Sequence, residues 1–311
     1  MQPTPVTMDA NAISVGLKSV GYIPDDSLST TLWLSTVLER PLLLEGDAGV
    51  GKTSVAAAFA NLYGRPLIRL QCYEGLDLQQ AVYEWNYSRQ LLEIRMHEIG
   101  TAGSTATFDL FDRTFLLQRP LLQAILSPQP AVLLIDEVDR ADEAFEAYLL
   151  EVLSDFQVSI PELGTVTATT IPQVILTSNG TRDLSDALRR RCLYHYLDYP
   201  SLAREMEIIK CALPNAESRL IESAVAFVHK LRKEDLNKIP GIAETLDWIR
   251  ALHKLQLRDL PDDPEMILQT MSCLLKTKSD SWQMGREAVA QLLGGGRSEH
   301  TSGVAAHMKS A

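Results

Sequence analysis

A chain of 311 residues, 46% of them hydrophobic, is long enough for one large domain plus a smaller one and excludes disorder as its default state. With 40 acidic against 29 basic residues, the net charge of −11 opposes a general affinity for nucleic acid or for anionic membrane. No apolar run approaches the roughly 20 residues that span a bilayer, Met1–Asn11 lacks the basic-then-apolar profile of a signal peptide, and Cys72, Cys192, Cys211 and Cys273 show no C-x-x-C spacing. These features imply a cytoplasmic protein without a transmembrane segment or a zinc site, its cysteines acting as small buried hydrophobes.

In chain order, Pro41–Leu44 is a short apolar run that reads as a buried strand. Directly after it, Gly46-Asp47-Ala48-Gly49-Val50-Gly51-Lys52-Thr53 satisfies the phosphate-loop pattern G-x-x-x-x-G-K-[ST] at every specified position. In this pattern the glycines let backbone N–H groups turn inward around phosphates, the lysine reaches the β- and γ-phosphates, and the threonine hydroxyl ligates Mg²⁺. The implied ligands are therefore ATP and Mg²⁺. Lys52–Tyr63 has the Ala-rich composition of the helix this motif requires, stopped by Gly64 with Pro66 beyond it. Pro66–Leu70 is a second strand run, and the aromatics of Tyr83-Glu84-Trp85-Asn86-Tyr87 fit core packing or a client contact.

Ala131–Ile135 is an apolar run without alternation, as in a strand covered on both faces, and it ends in Asp136-Glu137. Two acids at the carboxyl end of a buried strand stand where open α/β sheets bind ligands. Asp136 is assigned to Mg²⁺ and Glu137 to general base for the attacking water. From Phe156 to Thr170 the alternation of Phe156, Val158 and Ile160, the turn signal Pro161–Gly164, and the alternation of Val166 and Ala168 predict a β-hairpin. Gln173–Thr177 is a fourth sheet strand, ending near Asn179, whose amide is a candidate to orient the lytic water and sense the γ-phosphate. Arg189-Arg190-Arg191 precede the fifth strand, Leu193–Tyr196. A guanidinium from this triplet, reaching a neighbouring subunit's γ-phosphate, would stabilise the transition state in trans; a solvated basic helix end is the competing reading.

After Pro200 only amphipathic helical segments follow, among them Leu202–Cys211, Glu217–Leu231, Ala243–Leu255 and Pro264–Leu275. The predicted organisation is an α/β nucleotide-binding core over residues 1–200 with a five-stranded, mostly parallel sheet, an all-helical lid over 201–293, and a flexible Gly-rich tail over 294–311.

With these elements in order, the chain resembles MoxR-type AAA+ ATPases. The matching text is Gly21-Tyr22-Ile23-Pro24-Asp25, the Gly46–Thr53 loop, Asp136-Glu137-Val138-Asp139-Arg140-Ala141 and Leu184–Cys192. Within that family it is most similar to CoxD-like members. The resemblance implies a P-loop AAA+ αβα core with a helical lid, Tyr22 and Ile23 packing the adenine, and Arg191 as the finger with Arg190 as the alternative. It also implies a hexameric ring of the chain with itself, and chaperone-like, ATP-driven maturation or cofactor insertion of a metalloenzyme client beside a von Willebrand A-domain partner, with no nucleic acid expected. The hairpin before the sensor strand faces the pore or a client in some related rings and is packed in others.

One departure stands out. Many AAA+ lids carry an arginine early in a helix, whereas this stretch reads Pro240-Gly241-Ile242-Ala243-Glu244-Thr245-Leu246, with Arg250 later on the same helix. The departure keeps a second reading open, a nucleotide-gated oligomeric binding switch with incidental turnover. A DNA-directed AAA+ ATPase is a third, opposed by the net charge and by the lack of an added DNA-binding motif.

Overall fold

The structure, a computed structural model, describes residues 8–100 and 109–294. These divide into two compact units. One takes the chain up to Asp47 together with Lys52–Leu197; the other takes Ala48–Gly51 and the described residues from Asp198 onward.

The first unit opens with α1 (Ala10–Ser19) and α2 (Asp26–Val37), each started by an aspartate, Asp9 and Asp25, whose carboxylate accepts a backbone N–H of the first turn. Then come β1 (Leu42–Glu45), α3 (Lys52–Tyr63), β2 (Leu67–Gln71), α4 (Leu78–Ala81), β3 (Tyr83–Trp85), α5 (Tyr87–Gly100), β4 (Leu116–Gln118) and α6 (Pro120–Leu126). The unit continues through β5 (Val132–Asp136), α7 (Glu143–Asp155), β6 (Gln157–Ile160), β7 (Gly164–Thr167), β8 (Gln173–Ser178), α8 (Asp186–Arg191) and β9 (Leu193–Tyr196).

The central sheet has five strands in the order β2-β5-β8-β1-β9, every neighbouring pair parallel. Strands β5 and β8 are buried along their whole length, which explains their unbroken apolar sequence. Alternation along β5 sends Leu133 and Ile135 into a core with Leu121, Leu122 and Ile125 of α6 and Phe145 and Leu149 of α7. It turns Val132, Leu134 and Asp136 to the other face, and α3 also packs against β5. This layering is the AAA+ P-loop fold. At the edge, β2 exposes Leu67, Arg69 and Gln71, and its register sets Gln71 beside Asp136.

Two further two-stranded sheets complete the unit. The expected hairpin is β6–β7, with Val158 opposite Val166. Val158, Ile160 and Val166 are buried in the core, so one face of it is packed. The other small sheet, β3–β4, is too short for its alternation to be read from sequence. Its Trp85 is buried and lies edge-on to Phe111, with ring centroids 5.3 Å apart, while Tyr87 is exposed.

In the second unit, α9 (Leu202–Ala212), α10 (Ser218–Leu231), α11 (Ile242–Lys254), α12 (Pro264–Thr270), α13 (Lys278–Gln283) and α14 (Arg286–Gly294) surround the fully buried Trp248. The region predicted as a single helix from Pro264 to Leu275 is α12 followed by a 3-10 turn at Met271–Cys273. Glu205 is fully buried and accepts hydrogen bonds from Arg232 Nη1 (2.6 Å) and Nη2 (2.8 Å), with His229 Nε2 at 2.8 Å. Arg232 also donates to Pro240 O and Thr245 Oγ1 and lies over the Tyr199 ring.

The cysteines correct one expectation. Cys72 and Cys192 are buried, and burial pushes each thiol up to about 12, but Cys273 is only half-buried and Cys211 is exposed. The predicted tail, apart from Gly294 at the end of α14, lies outside the described residues. Among the described residues no helix is long and apolar enough to cross a membrane.

Candidate nucleotide site

The sheet order places β8 between β1 and β5, so the carboxyl ends of the three strands meet. The loop Gly46–Thr53 leaves β1 there. Gly49 (φ 83°) and Gly51 (φ 98°) adopt the left-handed backbone that side chains disfavour, which is why the motif needs glycine at these turns. Lys52 is buried and donates from Nζ to Gly46 O (2.6 Å) and Asp47 O (2.8 Å). Burial pushes its ammonium below the ordinary lysine range, against the opposing pull of Asp139, Asp47, Asp136 and Glu137.

At the start of α3, Thr53 Oγ1 donates to Asp136 Oδ1 at 3.1 Å. The sequence-predicted metal pair, 83 residues apart, is thus in contact. Asp136 is buried, and Thr177 Oγ1 donates to its Oδ1 at 2.5 Å while Arg69 Nη2 lies 2.5 Å from its Oδ2.

Glu137 has a left-handed backbone, φ 55° and ψ 50°, a conformation that costs a non-glycine residue about 1–3 kcal/mol. Its N–H donates to Thr177 Oγ1 (2.9 Å), so one hydroxyl fixes both acids. Its carboxylate Oε2 accepts from Gln71 Nε2 (3.2 Å) and Arg140 Nη1 (3.0 Å). Asn179 is half-buried, and its backbone N–H donates to Asp139 Oδ1 (3.2 Å). The buried Asp139 also accepts from Thr181 N (3.0 Å) and Oγ1 (2.6 Å). Burial alone would raise its pKa, but these bonds outweigh it and hold the carboxyl below its usual range.

The arginine helix α8 is clamped at both ends. Before it, the buried Glu146 of α7 is paired with Arg182 Nη2 and accepts Ser185 N at 2.9 Å. After it, Arg40 donates to the carbonyls of Arg190 (2.6 Å), Arg191 (3.2 Å) and Cys192 (3.4 Å), satisfying a helix end. Arg189 lies 3.5 Å from Glu45, and Arg191 Nε donates to Ser154 Oγ. Arg190 is exposed, and among the described residues its guanidinium has no hydrogen-bond partner. Of the adenine candidates, Ile23 is buried and Tyr22 donates its N–H to Leu17 O (2.9 Å). Arg250 pairs with Asp247 on the surface, with Nη1–Oδ1 2.7 Å.

Sequence reasoning missed Arg69, Gln71, Thr177 and Thr181. Three of them carried a signal: Arg69 and Gln71 alternate on an edge strand, and Thr177 is a polar residue inside an apolar run.

Residues 41–192 match the AAA domain of the dynein-related subfamily. Gas vesicle ATPase GvpN1 of Halobacterium salinarum is 26% identical over 210 residues, covering 65% of this chain and 58% of GvpN1. The chain thus spans under three fifths of that relative. Protein NorQ of Paracoccus denitrificans is 22% identical over 266 residues, covering 79% of this chain and 89% of NorQ. Among solved structures, the RuvB Holliday junction branch migration motor of Thermotoga maritima aligns over 82% of this chain and 68% of its own, with a TM-score of 0.44 at 18% identity.

Proposed function

Because the chain is a MoxR-like member of the AAA+ ATPases, we propose that it binds ATP with Mg²⁺ at the Gly46–Thr53 loop and hydrolyses it to drive chaperone-like remodelling. Contact between Thr53 and Asp136, beside a Glu137 held in strained backbone, is the observation that carries this reading. The donor set fits the metal: a hydroxyl and a carboxylate are the hard oxygen ligands Mg²⁺ takes. Lys52 fits the phosphates, because its ammonium is held by two exchangeable carbonyls and, among the described residues, by no carboxylate bond. Thr53 and Asp136 would hold Mg²⁺, which would supply positive charge against the phosphate oxygens.

In the reaction, water oxygen attacks the γ-phosphorus, the bond to the β-phosphate oxygen breaks, and the water proton passes to the Glu137 carboxylate. Asn179 orients that water, and Tyr22 and Ile23 flank the adenine. Arg191, or Arg190, completes the site of a neighbouring subunit in a hexameric ring. Both arginines are exposed, and for Arg191 this role requires release from Ser154. By resemblance to CoxD-like proteins, the work is maturation or cofactor insertion of a metalloenzyme, with a von Willebrand A-domain protein as partner.

Glu137→Gln is expected to retain ATP but to lose turnover by about two orders of magnitude or more, the scale of a lost general base. Phosphate release measured beside nucleotide retention checks this. Normal turnover in the variant would overturn the base assignment.

A further inference from the structure

Asp136 is a buried carboxylate with one full positive charge in contact, and that charge is not the phosphate-loop lysine. Lys52 Nζ is bonded to the carbonyls of Gly46 and Asp47. The cation on Asp136 is Arg69, whose Nη2 lies 2.5 Å from Oδ2 and 2.7 Å from Gln71 Oε1. Thr53 and Thr177 supply the remaining hydrogen bonds, and both are neutral hydroxyls. The parallel register of β2 on β5 pairs Gln71 with Asp136 and Arg69 with Leu134, so all three polar side chains share one sheet face.

The two partners differ in setting. The Asp136 side chain is 4% exposed and that of Arg69 is 52% exposed. A buried carboxylate is costly without a partner, whereas a half-exposed guanidinium at a sheet edge returns to water at small cost. The carboxylate is therefore fixed and its cation exchangeable.

We infer that Arg69 is the resident counter-cation of Asp136: it neutralises the carboxylate while no divalent ion is held there, yields when one is, and so sets how strongly nucleotide binding depends on Mg²⁺. This rests on the reading of Asp136 as the metal-holding acid. Without Arg69 and without Mg²⁺, the bare carboxylate would face the nucleotide phosphates as a like charge and weaken their binding. With Mg²⁺ present, the same carboxylate would be satisfied and the loss of Arg69 would matter little.

The test is the affinity for a fluorescent ADP analogue, titrated on the full chain in EDTA and in Mg²⁺. Arg69→Gln is expected to weaken binding about tenfold in EDTA and leave it near wild type in Mg²⁺, the scale of one charge-assisted hydrogen bond. Arg69→Lys keeps a cation and is expected to stay near wild type in both. In an Asp136→Asn background, Arg69→Gln is expected to have no further effect. Melting curves verify that each variant folds, and Arg69→Met replaces Arg69→Gln if that variant does not.

An unchanged EDTA affinity in the neutral variant would overturn the inference. So would weakening that persists with Asp136→Asn, which would mean that Arg69 acts directly on the phosphate. If Asp136→Asn alone keeps the full Mg²⁺ dependence, the reading of Asp136 itself falls.

Discussion

Each unit buries an acid against an arginine, and two of these pairs, Asp136–Arg69 and Glu205–Arg232, are built for opposite ends. In the sheet unit, Asp136 is held by two threonine hydroxyls and by Arg69, whose side chain is 52% exposed. In the helical unit, Glu205 is held by both terminal nitrogens of Arg232, whose side chain is 8% exposed, and by His229. Arg232 is fastened in turn to a carbonyl, a threonine hydroxyl and an aromatic ring. The arginine on Glu205 is locked, whereas the charged partner of Asp136 can leave. An acid that must exchange its cation needs the first arrangement, and one that ties helices together needs the second.

The largest expected effect breaks the locked pair. Arg232→Met leaves Glu205 buried with His229 as its remaining partner, and removing one member of a buried pair costs about 3–5 kcal/mol. Urea unfolding should show that loss, with hydrogen exchange of α9–α11 amides accelerated first. Replacing both residues by Met should recover much of it, because packed apolar side chains often match a buried ion pair. A single variant as stable as wild type would show that Glu205 does not depend on this arginine.

Asp280 gives a second, smaller test within the helical unit. It is fully buried and accepts Asn237 N (2.9 Å), Asn237 Nδ2 (2.9 Å) and Lys238 N (3.1 Å). Burial would raise its pKa, yet these bonds, led by those from Asn237, lower it from 3.8 to about 2. A carboxyl with a depressed folded pKa binds fewer protons folded than unfolded near pH 3. Its stabilisation is therefore complete above about 4 and is lost as pH falls from there toward about 2. Asp280→Asn should flatten the stability profile in that window and lower stability at pH 7. A variant whose acid slope matched wild type would remove Asp280 from the account.

How much of this was legible in the sequence follows from the range of each contact. The five sheet strands and the hairpin could be read because each is a local run whose period reports burial. Gly46–Thr53 and Asp136-Glu137 could be read because their chemistry fixes both residue type and spacing. Thr177 sits in a buried strand as a polar exception, a signal that was present but not used. Arg232 and Glu205 carry no such mark: 27 positions apart, on α10 and α9, they meet only through helix packing. A search for a lid arginine near residues 240–246 therefore missed the arginine that reaches that stretch from outside, through Pro240 and Thr245. The β3–β4 pair escaped for the opposite reason, since three-residue strands are too short to show a period.

The smallest expected effect comes from Arg140, which pairs with Glu137 at 3.0 Å, three residues apart. Both side chains keep solvent contact, 59% for Arg140 and 33% for Glu137. Gln71 remains on the same Oε2 if the arginine is removed, so the carboxylate is not left bare. An exposed pair of this kind contributes about 0.2–1 kcal/mol. Because salt screens it, Arg140→Ala should cost that little in dilute buffer and almost nothing at about 1 M salt, where the Debye length is about 3 Å. Urea melts at the two salt concentrations measure the difference. The strained backbone of Glu137 should persist in the variant, because it is anchored by the N–H bond to Thr177 and not by the ion pair. A loss above about 2 kcal/mol that ignores salt would mean that exposure does not separate exchangeable pairs from locked ones, and the contrast between Arg69 and Arg232 would need another cause.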